Sequence, residues 1–139
     1  MRDSKPVHNE THLGRIPLFD DLPAEEIQQL ARDSKTVFLE KCGTLFRTGE
    51  TCPGLHVVIY GQVKLSFVTP SGQEKVVEII GPGSSFGEAL MFMEKPYIVM
   101  AQTLADTMLL HVAKEAVFDE LAREPDFAKK MLAGLSRRL

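Results

Sequence analysis

Two periodicities divide this chain. In residues 23–32, PAEEIQQLAR, the apolar Ile27, Leu30 and Ala31 recur at helical spacing behind Pro23, with Glu25 and Glu26 in the first turn, which predicts a short amphipathic helix. From Thr36 to Val112 short apolar and β-branched runs alternate with glycine or proline punctuation at Gly43, Gly49, Pro53-Gly54, Gly61, Pro70-Ser71-Gly72 and Gly81-Pro82-Gly83. That rhythm predicts a mainly β unit. Within it, HVVIYGQVKLSFV (His56 to Val68) reads as two strands around Gly61, QEKVVEII (Gln73 to Ile80) follows a TPSG turn, and AQTL and DTMLLHV add two strands across Ala105-Asp106. Hairpins are the expected connections.

After Ala113 the helical period returns. Val117, Phe118 and Leu121 lie on one stripe, Pro125 opens a new segment, and Phe127, Met131, Leu132, Leu135 and Leu139 follow at spacings that predict an apolar helical face. A sustained apolar stripe at the end of a compact domain suits a dimer seam. With no glycine cap or breaker after SRRL, this helix is expected to be cut short at Leu139 rather than completed there.

Composition narrows the function classes. A chain of 139 residues, 44% apolar and 25% charged, suits one soluble globular domain, and no apolar run is long enough for a membrane span. The formal net charge of −3 argues against a nucleic-acid surface within these residues, because neutralising phosphates requires a basic face. Residues 1–15 carry no apolar leader and read as a flexible polar arm, which points to a cytoplasmic location. Cys42 and Cys52 match no zinc or iron–sulfur spacing and read as unpaired thiols, with a redox switch as the alternative. No nucleophile with an adjacent base, HExxH or P-loop is present, so an enzyme is not expected.

The stretch SSFGEALMFMEKPYIVMAQT, Ser84 to Thr103, starts like a phosphate cradle: a small residue, Phe86 and Gly87, then Glu88 leading into Ala89 and Leu90 at the start of a short helix. It then continues through Tyr97-Ile98-Val99-Met100, with no cation to pair with a phosphate.

Taken together, a leading helix, a glycine-punctuated β unit, an FGE turn with a short helix, two closing strands and a long terminal helix resemble the cyclic-nucleotide-binding domain. More narrowly, they resemble the effector domain of the catabolite-activator and fumarate-nitrate-reduction (CRP/FNR) family of bacterial transcription regulators. GTLFRTGE (Gly43 to Glu50), VVIYGQVKL (Val57 to Leu65) and GPGSSFGE (Gly81 to Glu88) carry the likeness over Ile16 to Leu139. The resemblance implies a cyclic-nucleotide-binding-like β-roll of the double-stranded β-helix or jelly-roll type over residues 16–124. It also implies a dimerisation helix over 125–139 in a homodimer, and DNA contact only through a helix-turn-helix domain outside these residues. It places the effector site at Phe86, Gly87, Glu88, Ala89, Leu90, Ile98 and Val99.

In nucleotide-binding members the glutamate after FG accepts from the ribose, and an arginine about ten residues later clamps the phosphate with its planar fork. Glu88 matches the glutamate. Ile98 stands at the arginine position and Val99 at that of its hydroxyl neighbour, so cyclic AMP is not the expected effector. Lys95 is the one cation nearby, and a lysine beside Pro96 reads as solvated.

EALMFMEKP also resembles the denitrification-type, nitric-oxide-responsive branch, for which haem is the candidate cofactor; His8, His12, His56 and His111 are the candidate ligands. Met91, Met93 and Met100 are alternative thioether ligands or apolar filler. The reading is a sensor domain of a one-component transcription regulator. The alternative is a cyclic-nucleotide-binding regulatory module of another signalling protein, a kinase or a channel.

Overall fold

The computed structural model describes residues 13, 19 and 22–137. In chain order they form α1 (Ala24–Arg32), β1 (Ser34–Leu39), β2 (Thr44–Phe46), β3 (Gly54–Tyr60), β4 (Val63–Val68), β5 (Glu74–Ile80), β6 (Ser85–Phe86), α2 (Glu88–Met93), β7 (Met100–Thr103), β8 (Thr107–Ala113), α3 (Lys114–Arg123) and α4 (Pro125–Arg137). Two proline-led helices follow the sequence closely: Pro23 is the extended residue before α1, and Pro125 is the first residue of α4, where a missing N–H costs nothing.

The strands form two four-stranded antiparallel sheets, ordered β1-β8-β3-β6 and β2-β7-β4-β5. This topology corrects part of the hairpin expectation. At TPSG the hairpin forms, with β4 and β5 paired from Val63↔Ile80 to Val68↔Glu74. At Gly61 it does not, because β3 belongs to one sheet and β4 to the other, and β7 to β8 makes the same change of sheet. The two crossings pack on each other: the Leu104 amide donates to the Gln62 carbonyl at 3.0 Å, and the Gln62 amide donates to Thr107 Oγ1 at 3.2 Å. Gly61 sits there with φ +94°, and a Cβ on it would lie 2.6 Å from the Asp106 carbonyl oxygen and 2.7 Å from Thr107 Cα. Only glycine fits so close a backbone approach.

Strand alternation divides the core in two. Across the β3–β8 register Val57 faces Leu110 and Leu55 faces Val112, while His56 faces His111 and Val58 faces Leu109. The His56 ring lies 6.4 Å from Phe46 of the second sheet, so the His56 side is the interior of the roll. The opposite side of β3 and β8 is covered by helices, with α2 and α3 against β3 and α3 against β8. There Leu55, Val57, Leu110 and Val112 are buried together with Ile27, Leu30, Val117, Phe127 and Met131.

That packing changes two expectations. Phe127 and Met131, expected on a dimer seam, are 0% and 2% exposed within a single chain, so they belong to its own core; Leu132, 64% exposed, is the seam candidate that faces outward. Leu135 and Leu139 lie outside the described side chains. Leu13, assigned to the flexible arm, is fully buried, and Phe19 joins it in the core.

Candidate functional site

All seven residues expected at an effector site line one cavity of about 300 Å³: Phe86, Gly87, Glu88, Ala89, Leu90, Ile98 and Val99. Local geometry explains the grouping. Strand β6 ends at Phe86, and Gly87 turns the chain with φ +92° and becomes the N-cap of the six-residue helix α2. The chain leaves α2 through Glu94, also left-handed at φ 54°, and returns along the cavity at Tyr97 to Val99 before entering β7. The opposite wall comes from Phe46, Leu65, Val77 and Glu78.

Glu88 is 4% exposed and accepts a hydrogen bond from the Ser85 hydroxyl. It is also the first residue of α2, where a carboxylate is favoured by the helix dipole. Its position therefore has a local structural cause independent of any ligand. Tyr97 is 3% exposed and stacks flat on Phe46, with ring centroids 3.4 Å apart and planes 3° from parallel. Burial and the neighbouring Cys52 thiol raise the Tyr97 hydroxyl's pKa, so it stays neutral.

Ile98 is 70% exposed and forms the wall between this cavity and a second cleft of about 500 Å³ lined by Arg47, Thr48, Phe67, Val68 and Met100. Arg47 thus lies on the far side of Ile98 from the candidate site. Lys95 is exposed and lines neither space. Its amide donates to the Leu90 carbonyl at 3.1 Å and closes α2.

The histidines have other surroundings. His8 and His12 lie outside the described residues. His56 Nε2 is 3.2 Å from His111 Nδ1, across the β3–β8 register, and the His56 ring stacks 5.5 Å from Phe86. Burial, reinforced by the neighbouring His111, pushes the His56 pKa down to about 3, and burial with the nearby Lys35 lowers that of His111. Neither ring lines the cavity, so the described histidines do not fit an axial haem ligand directed into it. Met93 reaches the cavity rim, Met91 is buried in the core and Met100 lines the second cleft. Cys42 is exposed and Cys52 buried, its Sγ 3.3 Å from the Gly54 carbonyl, and both are free thiols.

Six contributors to the site lay beyond the sequence reading: Phe46, Leu65, Val77, Glu78, Ser85 and Tyr97. Phe46, Leu65 and Ser85 fall inside the segments that carry the resemblance, which was their available signal. Glu78 had none. In a regular strand Val77 and Glu78 point to opposite faces; Glu78, paired with Leu65, shares the face of the buried Ile80, and Val77 joins it at the cavity where the β4–β5 register shifts between Leu65 and Ser66. Such a bulge redirects one side chain, here at the edge of a sheet.

A two-sheet roll with a short helix set into it at an FGE turn is the architecture of the cyclic nucleotide-binding fold. The cyclic nucleotide-binding domain family matches residues 36–124, well over half of the chain, and the chain belongs to that family. It is 28% identical to the CRP-like cAMP-activated global transcriptional regulator of Mycobacterium tuberculosis over 91% of this chain and 57% of that protein. It is 30% identical to the cyclic AMP receptor protein of Thermus thermophilus, over 88% of this chain and again 57% of that protein. The chain thus spans a little over half the length of these curated relatives. Among solved structures, the sensor domain of the transcriptional regulator DNR from Pseudomonas aeruginosa superposes with a TM-score of 0.83 at 34% identity, covering 94% of this chain and 87% of that one. Among the described residues no helix is long and apolar enough to cross a membrane.

Proposed function

We propose that this chain is the effector-sensing domain of a bacterial CRP/FNR-type transcription regulator, acting in the cytoplasm as a homodimer, and that its effector is not cyclic AMP. DNA would be contacted through a segment outside these residues. The observation that carries the sensing role is the placement of α2. Its Ala89, Leu90 and Met93 line the cavity, while Phe92 stacks on Phe118 of α3 at 6.2 Å and Glu94 lies 3.9 Å from Lys114 at the start of α3. Helix α3 in turn packs on α4. A ligand that fits the cavity better in one placement of α2 than in another shifts the population of terminal-helix arrangements by that difference in affinity.

The effector part of the proposal rests on Ile98 and Val99, which put hydrocarbon where nucleotide-binding relatives clamp a phosphate. Calorimetric titration with cyclic AMP and cyclic GMP is expected to show nothing tighter than roughly the high micromolar range, since backbone dipoles alone would face the phosphate among apolar walls. Micromolar or tighter binding would overturn that part. The regulator assignment is tested by the coding sequence after Leu139: a helix-turn-helix is expected, whereas a kinase signature or a membrane span would place the domain in another kind of signalling protein.

A further inference from the structure

We propose that the cavity beside α2 takes a largely apolar ligand with a cationic head group, held by Glu78. This deepens the sensor reading and rests on the cavity being the effector site. The walls are mostly hydrocarbon and aromatic: Phe46, Leu65, Phe86, Leu90 and Val99 line the cavity, and Val77, Met93 and Ile98 stand at its rim with 56%, 55% and 70% exposure. Rims of exposed apolar side chains around a concave apolar surface are the usual mark of a ligand or partner site.

Charge decides the head group. Among the described residues no arginine, lysine or histidine lines the cavity, while two glutamates do. Glu88 is buried and bonded to Ser85. Glu78 is different: it lies on the exposed edge strand β5, outside the ion pairs Lys64–Glu74, Lys114–Glu94 and Arg123–Glu120 formed among the described residues. Glu78 pairs with Leu65 on the face that also buries Ile80, and the bulge opposite Leu65 and Ser66 leaves Val77 unpaired beside it, so an apolar contact and an acceptor line the cavity together. An anionic ligand would meet the Glu78 carboxylate, whereas an ammonium would gain that carboxylate at the mouth and apolar wall for its tail.

The test compares three probes of matched shape, 4-phenylbutylamine, 4-phenylbutanol and 4-phenylbutyrate, with cyclic AMP as a fourth. Binding is followed by calorimetry and by backbone amide shifts in the intact domain. The amine should bind about tenfold tighter than the carboxylate, attraction and repulsion at a part-exposed site each contributing a few-fold, with shifts at residues 77–78 and 87–90. Glu78→Gln should remove that preference while leaving the alcohol's affinity unchanged, which separates the charge effect from damage to the cavity. A preference that survives Glu78→Gln, tighter binding of the carboxylate, or no binding of the three phenyl probes up to millimolar concentration would overturn the proposal. Micromolar cyclic AMP binding at the same amides would overturn it too, while leaving the cavity as the effector site. The regulator assignment stands or falls separately on the coding sequence after Leu139.

Discussion

The buried histidine pair makes the stability of this domain acid-sensitive in a way that one substitution isolates. His56 is 5% exposed and its pKa is pushed from the ordinary 6.5 down to about 3. A group depressed in this way contributes stability that is fully present above the unfolded value and is lost as pH falls toward the folded one, because in that window only the unfolded chain takes up the proton. Integrating between about pH 7.5 and about pH 5 gives a loss of about 2 kcal/mol from His56 alone. His111 is lowered too and adds in the same direction. Glu26, raised chiefly by burial, works with the opposite sign, so the total slope understates the histidine effect. His56→Phe keeps a ring against Phe46 and Phe86 and removes the titrating group; His111, half-buried, can bond water instead. Urea unfolding across this pH range should show the wild type losing stability and the variant losing about 2 kcal/mol less. Parallel curves would refute the reasoning, as would a histidine resonance assigned to His56 that titrates near 6.5.

Three further outcomes follow from particular contacts. Gly61→Ala should cost about 2–5 kcal/mol, the sum of left-handed strain and overlap with the Asp106–Thr107 backbone. Gly72→Ala, with φ +90° and nothing within 4 Å of the new Cβ, should cost the strain alone, about 1–2 kcal/mol; equal costs in unfolding experiments would remove the crowding argument. Phe127→Ala should destabilise the single chain by about 3–5 kcal/mol, whereas Leu132→Glu should leave it folded and weaken self-association in light scattering; a dimer unaffected by Leu132→Glu would place the interface elsewhere. Ile98→Arg with Val99→Ser should strengthen cyclic AMP binding by about 1.5–3 kcal/mol in calorimetry, and an unchanged affinity would show that the missing fork is not what limits it.

Much of the fold was written locally. Proline and acidic residues marked the start of α1, glycine punctuation bounded the strands, and TPSG announced the one hairpin whose partners pair within a single sheet. What local signals could not carry was the destination of each turn. Gly61 punctuates the chain as a hairpin glycine would, yet β3 and β4 part there into different sheets, and the reason lies more than forty residues on, at Thr107, whose backbone occupies the space beside it. The terminal stripe shows a similar ambiguity. An apolar helical face reports that it is buried, not against what, and for Phe127 and Met131 the partner is the helix-covered side of β3 and β8. At the candidate site, the residues near the FGE turn were legible because they are contiguous, whereas Val77 reaches the cavity through a register shift that alternation alone predicts the wrong way.

The FGE turn deserves less weight as a sign of ligand than its resemblance suggests. Glu88 would be favoured here even with an empty cavity: it begins a helix, its carboxylate accepts from Ser85, and Gly87 before it is needed for a left-handed backbone whose Cβ would approach the Gly54 carbonyl to 3.3 Å. A motif held in place by its own folding requirements can persist while the ligand changes. The discriminating residues are those with no such local duty. Ile98 is largely exposed, Val99 is a wall, and Glu78 lines the cavity from an edge strand. On the proposed reading, Ile98 and Val99 put hydrocarbon where nucleotide-binding relatives clamp a phosphate, and Glu78 adds negative charge. All three would then act against an anion, and the proposed preference of this cavity rests on them rather than on the turn that makes it recognisable.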